Sequence, residues 1–465
     1  MADLPGSRVS DEVLVVLRAH PSVRSACRGS GAEDEVQIVP ETDSELAPAP
    51  AQQVVLSWQS VFDDCYTAGP PGDDEGRFVG WIDRFSGQPL PREHMLEWVE
   101  STVARVSDLS PSRVLEIGAG TGLLLVPLVE RLALAEYLAT DLSPISVDWL
   151  NQARHELHTS HPATTVDVLQ ASAVDVPQKV NGQLYDTLIL NSVAQYFPST
   201  TYFERVLRNS VSHLSQGGHV YLGDLRHEGL RPSLTLATAL RRGEDGSATE
   251  TRRRRLYEND GELSFLPEYI QSLSERVPGV TAVDLLPRAG RLENEMTLFR
   301  FDAVLHIGCV AGAASGRWRD ADDLTSDDLE TLLRSEGQAF GIRNLRNARL
   351  LRAEHDLVDH GLASRRQSRP VFEPDGLRVL GADHGWRVDL RLSVPSGRGD
   401  LDAWYTPDDG GHFHAVTAES VARPQFRQPV LPPLMQRPWV DVLAAHLARQ
   451  LPGSRQPRTW SFVLS

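Results

Sequence analysis

Short apolar runs alternate with amphipathic stretches through the middle of this chain. Their spacing predicts strands at 113–117, 136–141, 165–170, 185–191 and 218–223, with helices at 122–132, 144–158 and 200–215. Strands alternating with helices at this interval predict a doubly wound, mostly parallel α/β sheet. Two more β-like runs, VTAVDLLPR (Val280–Arg288) and EMTLFRFDAVLHIG (Glu295–Gly308), are placed to close it as a hairpin, for seven strands in all.

The flanks have a different texture. Residues 1–55 hold a helical pattern (SDEVLVVLRAHPSV), a weak strand within VRSACRGSGAEDEVQIVP and a Pro/Ala-rich linker, ETDSELAPAPAQQ. Residues 56–112 carry Trp58, Phe62, Tyr66, Phe78, Trp81, Phe85 and Trp98 on two helical patterns joined by a Gly- and Pro-broken loop. Such a segment is either core packing or a cap over a cleft. After residue 224 come a helix at SLTLATALRRG, the run Arg252–Arg255 and an amphipathic helix around LPEYIQSLSERV. The arginine run is a solvated face, or else a meeting point for a phosphate or an acidic carrier. Residues 311–420 look less regular, a lid or small α+β appendage, with helices at 325–336 and 348–358 and β-like runs GWRVDLRLSV and DLDAWYT. A last helix is expected at 440–450.

The central pattern is interrupted most sharply at VLEIGAGTG (Val114–Gly122). A buried strand ends in an acid, a turn carries Gly118, Gly120 and Gly122, and a helix follows. Glycine opens backbone angles closed to other residues and leaves room for a ligand against the main chain. The pattern G-x-G-x-G differs from the G-x-G-x-x-G that seats a pyrophosphate on a helix N-terminus. Glu116 would repel a phosphate but suits a cationic cofactor. The second strand ends in Asp141, where nucleotide-binding βαβ units place a carboxylate on ribose hydroxyls. Ser143 and Pro144 read as the cap and first residue of the next helix. Together these residues point to S-adenosylmethionine; a purely structural corner with a helix-capping Asp141 is the alternative.

Composition narrows the field. The 465 residues suit two or three domains, and net charge −17 disfavours nucleic acid as a partner. Lys179 is the only lysine among 46 basic residues, which removes most lysine chemistry. Cys27, Cys65 and Cys309 have no metal-ligand spacing and are too few for a disulfide framework. No metal is expected. No run reaches the length of a membrane span and no signal segment opens the chain, so a cytoplasmic location is expected.

NSVAQYFPSTTYFERVL (Asn191–Leu207), GGHVYLGDLR and NEMTLFRFDAVLHIG follow VLEIGAGTG, and WQSVFDDCY, GWIDRFSGQPLP and MLEW precede it. In this order they resemble the methyltransferase domains embedded in nonribosomal peptide synthetases, over roughly 56–310 and onward to about residue 407. VLVVLRAHPSVRSA and VDVLAAHLARQLPGSRQPRTWSFVL resemble the adenylation-domain sequence on either side of such an insertion. The resemblance implies a class I, Rossmann-like methyltransferase core at 113–310. It also implies terminal flaps (1–55 and 421–465) that pair with each other, and no amino-acid activation, since a nucleotide-binding part is missing.

The implied reaction is methylation of an α-amine on an aminoacyl or peptidyl group held by a peptidyl carrier protein. Such an amine is partly neutral near pH 7 and needs orientation more than a strong base. O- or C-methylation of a similar or free substrate, and a non-catalytic docking module, are the alternatives. For the cofactor the resemblance carries over Glu116, Gly118, Gly120, Gly122, Asp141 and Asn191. Asp175, in ASAVDVP, is a candidate adenine contact or a local cap. On the substrate side the candidates are Tyr196, Asp224, Arg226, Asn294, Glu295 and Trp81. Asp224, beyond the fifth strand, and Glu295, entering a later one, are the proton acceptors; the alternatives are a loop cap for Asp224 and surface pairing with Arg300 or Arg291 for Glu295. Gln195–Tyr196 is a lid contact or packing. His227 is the base an oxygen nucleophile would need, or simply an exposed histidine.

Overall fold

The computed structural model describes residues 9–20, 23–28, 35–40, 48–68, 77–180, 182, 184–242, 247–258, 260–308, 317–321, 324–364, 371–394, 398–408, 433–451, 457 and 459–462. Cys309 and residues 41–47 of the expected linker lie outside them.

The two ends of the chain meet in a three-stranded sheet. β1 (Val23–Arg28) and β2 (Glu35–Pro40) run antiparallel, and β15 (Thr459–Phe462) pairs parallel with β2. α1 (Asp11–Arg18) buries Val13, Leu14 and Leu17, and the Ser10 hydroxyl caps it by accepting the Val13 N–H. The weak strand expected in this region is thus two strands. Helix α2 spans Pro48–Ala68, so the latter part of the expected linker is helical. Its prolines lie in the first turn, where a missing N–H breaks no helical bond.

After α3 (Arg92–Asp108) the chain builds the central sheet. It comprises β3 (Arg113–Ile117), β4 (Glu136–Asp141), β5 (Thr165–Gln170), β6 (Tyr185–Asn191), β7 (Leu214–Arg226), β8 (Val280–Pro287) and β9 (Arg300–Ile307). The order is β5-β4-β3-β6-β7-β9-β8, with only β9 antiparallel to its neighbours. This is the class I methyltransferase order. Helices α4 (Leu125–Arg131), α5 (Pro144–Ser160) and α6 (Thr200–Val211) connect the strands. β3, β4 and β6 are buried along nearly their whole length, as strands covered on both faces must be. Strand order reverses between β3 and β6, and ligands of such sheets bind beyond the carboxyl ends at that point.

Beyond β7, α7 (Arg231–Arg241) and α8 (Ser247–Glu258) form one wall of the cleft above the strand ends. Arg253 and Arg254 of the arginine run pair with Glu250 and Glu258 on their own helix. Two departures from the expected pattern matter. The amphipathic stretch at 267–276 is two short helices meeting at Ser272. The run beginning at Glu295 is not one strand: α9 (Glu295–Phe299) precedes β9, because Asn294 and Thr297 form a reciprocal capping box.

Residues 317–407 are more regular than the sequence pattern suggested. β10 (Arg317–Asp320), β11 (Phe340–Asn347), β13 (Trp386–Leu392) and β14 (Leu401–Pro407) form a sheet in the order β10-β11-β14-β13, with β12 (Val371–Phe372) beside β11. α10 (Ser326–Ser335), α11 (Leu351–Asp359) and α12 (Pro374–Asp383) accompany it. β13 packs on the edge strand β8, and α11 on α7. At the chain end, α13 (Pro433–Gln450) lies against α1 and α2. Among the described residues no helix is long and apolar enough to cross a membrane.

Candidate active site

The turn after β3 and the end of β4 form one hydrogen-bonded unit. Gly118, Gly120 and Gly122 have φ of 78°, 54° and 79°. At Gly118 a Cβ would come within 2.3 Å of Val193 Cγ2, so the turn is packed against the residues following β6. Gly120 N–H donates to Asp141 Oδ2 at 2.8 Å, Ser143 N–H to Asp141 Oδ1 at 2.9 Å, and Ser146 Oγ to the Gly120 carbonyl at 2.6 Å. Glu116 is buried beneath the turn and accepts the Tyr137 hydroxyl at 2.6 Å. Burial pushes its carboxyl up to about 7; the charge of Asp141 adds to the rise and the Tyr137 bond opposes it. Asn191, at the end of β6, is buried with its Oδ1 lacking a donor among the described residues.

A cavity of about 570 Å³ opens over this turn. Its roof is α2, whose Trp58, Phe62 and Tyr66 all line it. The Tyr196 ring sits 4.6 Å from Trp58 and 4.9 Å from Phe62, and the Ser143 hydroxyl donates to Asp63 of the same helix. The aromatic segment therefore covers the cleft. Trp81 lines it from the following loop, packed 4.5 Å from Trp98.

At the far end of the cavity lie Arg84, Asp260, Glu262, Glu295 and Arg300. Arg84 reaches Glu262 at 2.5 Å, Glu295 at 3.2 Å and Asp260 at 3.8 Å. Arg300 pairs with Glu295 and, at 2.6 Å, with Asp224. Behind them Arg226 holds Asp260 through two bonds of 3.0 and 2.6 Å and touches Glu262 at 3.3 Å. Burial alone would raise the Asp260 carboxyl; Arg226, Arg84 and Arg231 bring it down to about 2. Glu262 is likewise held below the usual carboxylate range: burial opposes this, and Arg84, Arg226 and Arg300 outweigh it.

Glu116, Gly118, Gly120, Asp141, Asn191, Tyr196, Trp81 and Glu295 line the one cavity. Six candidates do not. Asp224 has φ +64° and is fully buried; it is bound to Arg300 and the Ser192 hydroxyl rather than facing the cleft. Arg226 is buried behind Asp260. Asn294 caps α9, its Oδ1 accepting from the Met296 and Thr297 amides at 2.9 and 3.1 Å. His227 is buried with its ring against Phe301, and burial pushes its pKa down to about 4, so it is neither exposed nor able to reach a substrate. Asp175 is exposed and accepts the Ser172 hydroxyl at 2.5 Å, a local turn, while Ala171 and Ala173 line the cavity. Gly122 faces Leu150 rather than the cavity.

The sequence pattern missed Arg84, Asp260 and Glu262. They come from irregular segments, 80–90 and 260–265, that no periodicity links. The available signal was two acids around a glycine (Asp260-Gly-Glu262) directly after the basic helix α8.

Residues 115–220 match a family model described as a methyltransferase domain. The chain is 31% identical to chondramide synthase of Chondromyces crocatus over 422 residues, covering 86% of this chain and 11% of that one. It is 36% identical over 308 residues to a probable non-canonical nonribosomal peptide synthetase of Salinispora arenicola, covering 63% and 4%. It is 29% identical over 524 residues to peramine synthetase of Metarhizium rileyi, covering 98% and 18%. The chain thus spans less than a fifth of each relative's length. With the strand order, the glycine turn and this match together, the chain contains an S-adenosylmethionine-dependent methyltransferase domain and is related to nonribosomal peptide synthetases.

Proposed function

We propose that this chain methylates the α-nitrogen of an aminoacyl or peptidyl group held as a thioester on a peptidyl carrier protein. The observation that carries the reading is the inventory of the cavity. The cavity holds Gln195 Oε1, a buried acceptor with no hydrogen-bond donor among the described residues, beside the carboxylates of Glu262 and Glu295, whose Oε2 atoms make only ion-pair contacts with Arg226 at 3.3 Å and Arg84 at 3.2 Å. A buried acceptor so placed suits a ligand that brings an N–H or O–H donor, and two carboxylates beside it suit a group that gains positive charge, as an amine does on methylation. No histidine lines the cavity among the described residues, so a hydroxyl nucleophile finds no neutral imidazole there. That weighs against O-methylation, and the intact cleft weighs against a docking module.

Glu116, Gly118, Gly120, Asp141 and Asn191 are the residues to hold the cofactor, and their chemistry fits it. Asp141 keeps lone pairs for ribose hydroxyls while anchoring Gly120, Asn191 offers an acceptor, and Glu116 suits positive charge. Gly122 serves the turn. When bound, S-adenosylmethionine supplies a methyl group already activated on a sulfonium. The protein's part is orientation and exclusion of water. α2 roofs the cleft with three aromatic rings, whose faces favour a cation. Tyr196 and Trp81 wall the substrate end, and Glu295 accepts a hydrogen bond from the nitrogen.

The test is a substrate comparison in the presence of S-adenosylmethionine. Aminoacyl thioesters on a carrier protein should gain one methyl group, detected by mass. The matching 2-hydroxyacyl thioesters and free amino acids should not. Methylation of the hydroxyacyl series alone would replace this reading with O-methylation.

A further inference from the structure

We propose that Glu262, flanked by Gln195 and Glu295, is the seat of the methyl-accepting nitrogen, and that Arg84 from the cap is its built-in counter-ion. The proposal rests on the N-methylation reading and names the group of that site the sequence did not reveal.

Four observations converge on Glu262. First, it lines the cavity with one oxygen paired to Arg84 at 2.5 Å and the other making only an ion-pair contact with Arg226 at 3.3 Å, short of a hydrogen bond. Second, its backbone is fixed: Leu263 N–H donates to the Gln195 carbonyl at 2.8 Å, and Arg226 Nη1 donates to the Glu262 carbonyl at 3.1 Å. The segment bearing Glu262 is thus tied to the turn bearing Gln195 and to the end of β7. Third, Glu262 and Glu295 both reach the Arg84 guanidinium, at 2.5 and 3.2 Å, so the two carboxylates are gathered in one part of the cavity. Fourth, Gln195 is 1% exposed and its Oε1 has no donor among the described residues. A buried carbonyl left so is costly unless a ligand supplies the donor.

Arg84 differs from the other arginines of this cluster in origin. It sits on a tight turn of the cap, closed by the Ile82–Pro89 bridge, and its side chain is 31% exposed. Arg226 and Arg300 belong to the central sheet and are buried deeper. The arrangement answers a chemical difficulty. A bare carboxylate beside an amine would hold it as ammonium, whose nitrogen has no lone pair to react. With Arg84 and Arg226 against it, Glu262 is already compensated, so it can accept an N–H bond without fixing the proton on nitrogen. As the nitrogen takes the methyl it gains a positive charge, and the electron pair of the broken carbon–sulfur bond stays on sulfur. The carboxylate is then placed where charge develops. The secondary ammonium leaves and gives its proton to water. The charged and titratable groups around Glu262 are Arg84, Arg226, Asp260, Glu295, Arg300 and Tyr196.

The test is calorimetric titration with an N-methyl amino acid amide, an uncatalysed mimic of the product, on the complex with S-adenosylhomocysteine between pH 6 and 9. Wild type should bind the amide. Glu262→Gln should weaken it at least tenfold while leaving S-adenosylhomocysteine affinity unchanged. Arg84→Gln should move the midpoint of amide binding to higher pH, because the ammonium form is then favoured. This variant, partly exposed in the cap, tests the proposal even if Glu262→Gln does not fold. Unchanged amide affinity in Glu262→Gln, or an unchanged pH midpoint in Arg84→Gln, overturns the proposal. Failure of the wild-type complex to bind any amine, with S-adenosylhomocysteine bound, overturns instead the N-methylation reading beneath it.

Discussion

Asp141 accepts the backbone N–H of Gly120 at 2.8 Å, so the acid on β4 holds the turn after β3 in shape. Its side chain positions the turn and lines the cavity, where it is proposed to meet the cofactor. Asp141→Ala should weaken S-adenosylhomocysteine binding roughly tenfold to a hundredfold, the loss expected for hydrogen bonds to a charged acceptor. Asp141→Asn keeps an acceptor for only one of its two amides, and its loss should fall in between. Calorimetry on the three proteins checks the order; equal affinities would remove Asp141 from the site.

Gly118 is the position in the turn least able to carry a side chain. A methyl group there meets Val193 at 2.3 Å on a backbone with φ +78°. Gly118→Ala should abolish measurable cofactor binding and lower the melting temperature. Adding Val193→Ala should recover part of the stability, since the clash is with that side chain.

With Glu116 holding the cofactor as proposed, cofactor affinity should depend on pH. Its carboxyl titrates near 7 in the free protein, above its ordinary value, and a cation binds the ionised form. Affinity should rise about tenfold from pH 6 to pH 8, with proton release on binding. The sign for stability is opposite: the folded state holds this proton more tightly than the unfolded chain, so the free protein loses stability as pH rises from about 4.5 to 7. Glu116→Gln should flatten both dependences, measured by calorimetry and thermal melts.

His227 should matter for stability and not for methyl transfer. Burial holds its folded pKa at about 4, below the unfolded value near 6.5, so protonation favours unfolding. Stability should fall by about 3 kcal/mol as pH drops through that window. His227→Leu should shrink the acid-side loss and keep the transfer rate within about twofold. A large drop in rate would return His227 to the catalytic candidates.

The part of the cleft around the glycine turn was legible because it is written locally. The glycine turn, Asp141 and Asn191 each sit at the end of a strand whose period is plain, and a parallel sheet lines such ends up. The acidic half was not. Asp224 was expected to face the cleft because it follows a strand read as ending at 223, but β7 runs on to Arg226; the left-handed backbone of Asp224 is bonded back to Asp302, and its carboxylate goes to Arg300 and Ser192. Glu295 reached the cavity for a reason other than the one expected: the signal Asn294-x-x-Thr297 makes a capped helix turn where an apolar run suggested a strand. Arg84 and Glu262 lie about 180 residues apart in irregular segments. Only tertiary packing brings them together, and sequence spacing carries no trace of it. β11 escaped notice because its arginines and asparagines, in RNLRN, mask the alternation of a half-buried strand.

The proposed transfer of a methyl group to an amine nitrogen in this cleft is tested by finding where the methyl group goes. The most direct measurement uses S-adenosylmethionine labelled in the methyl group with an α-aminoacyl thioester on a carrier protein, followed by tandem mass spectrometry of the product. One label on the α-nitrogen is expected in wild type, and a rate reduced at least tenfold in Glu262→Gln with cofactor affinity retained. Label on oxygen or carbon, or none on any amine while the cofactor binds, would contradict it.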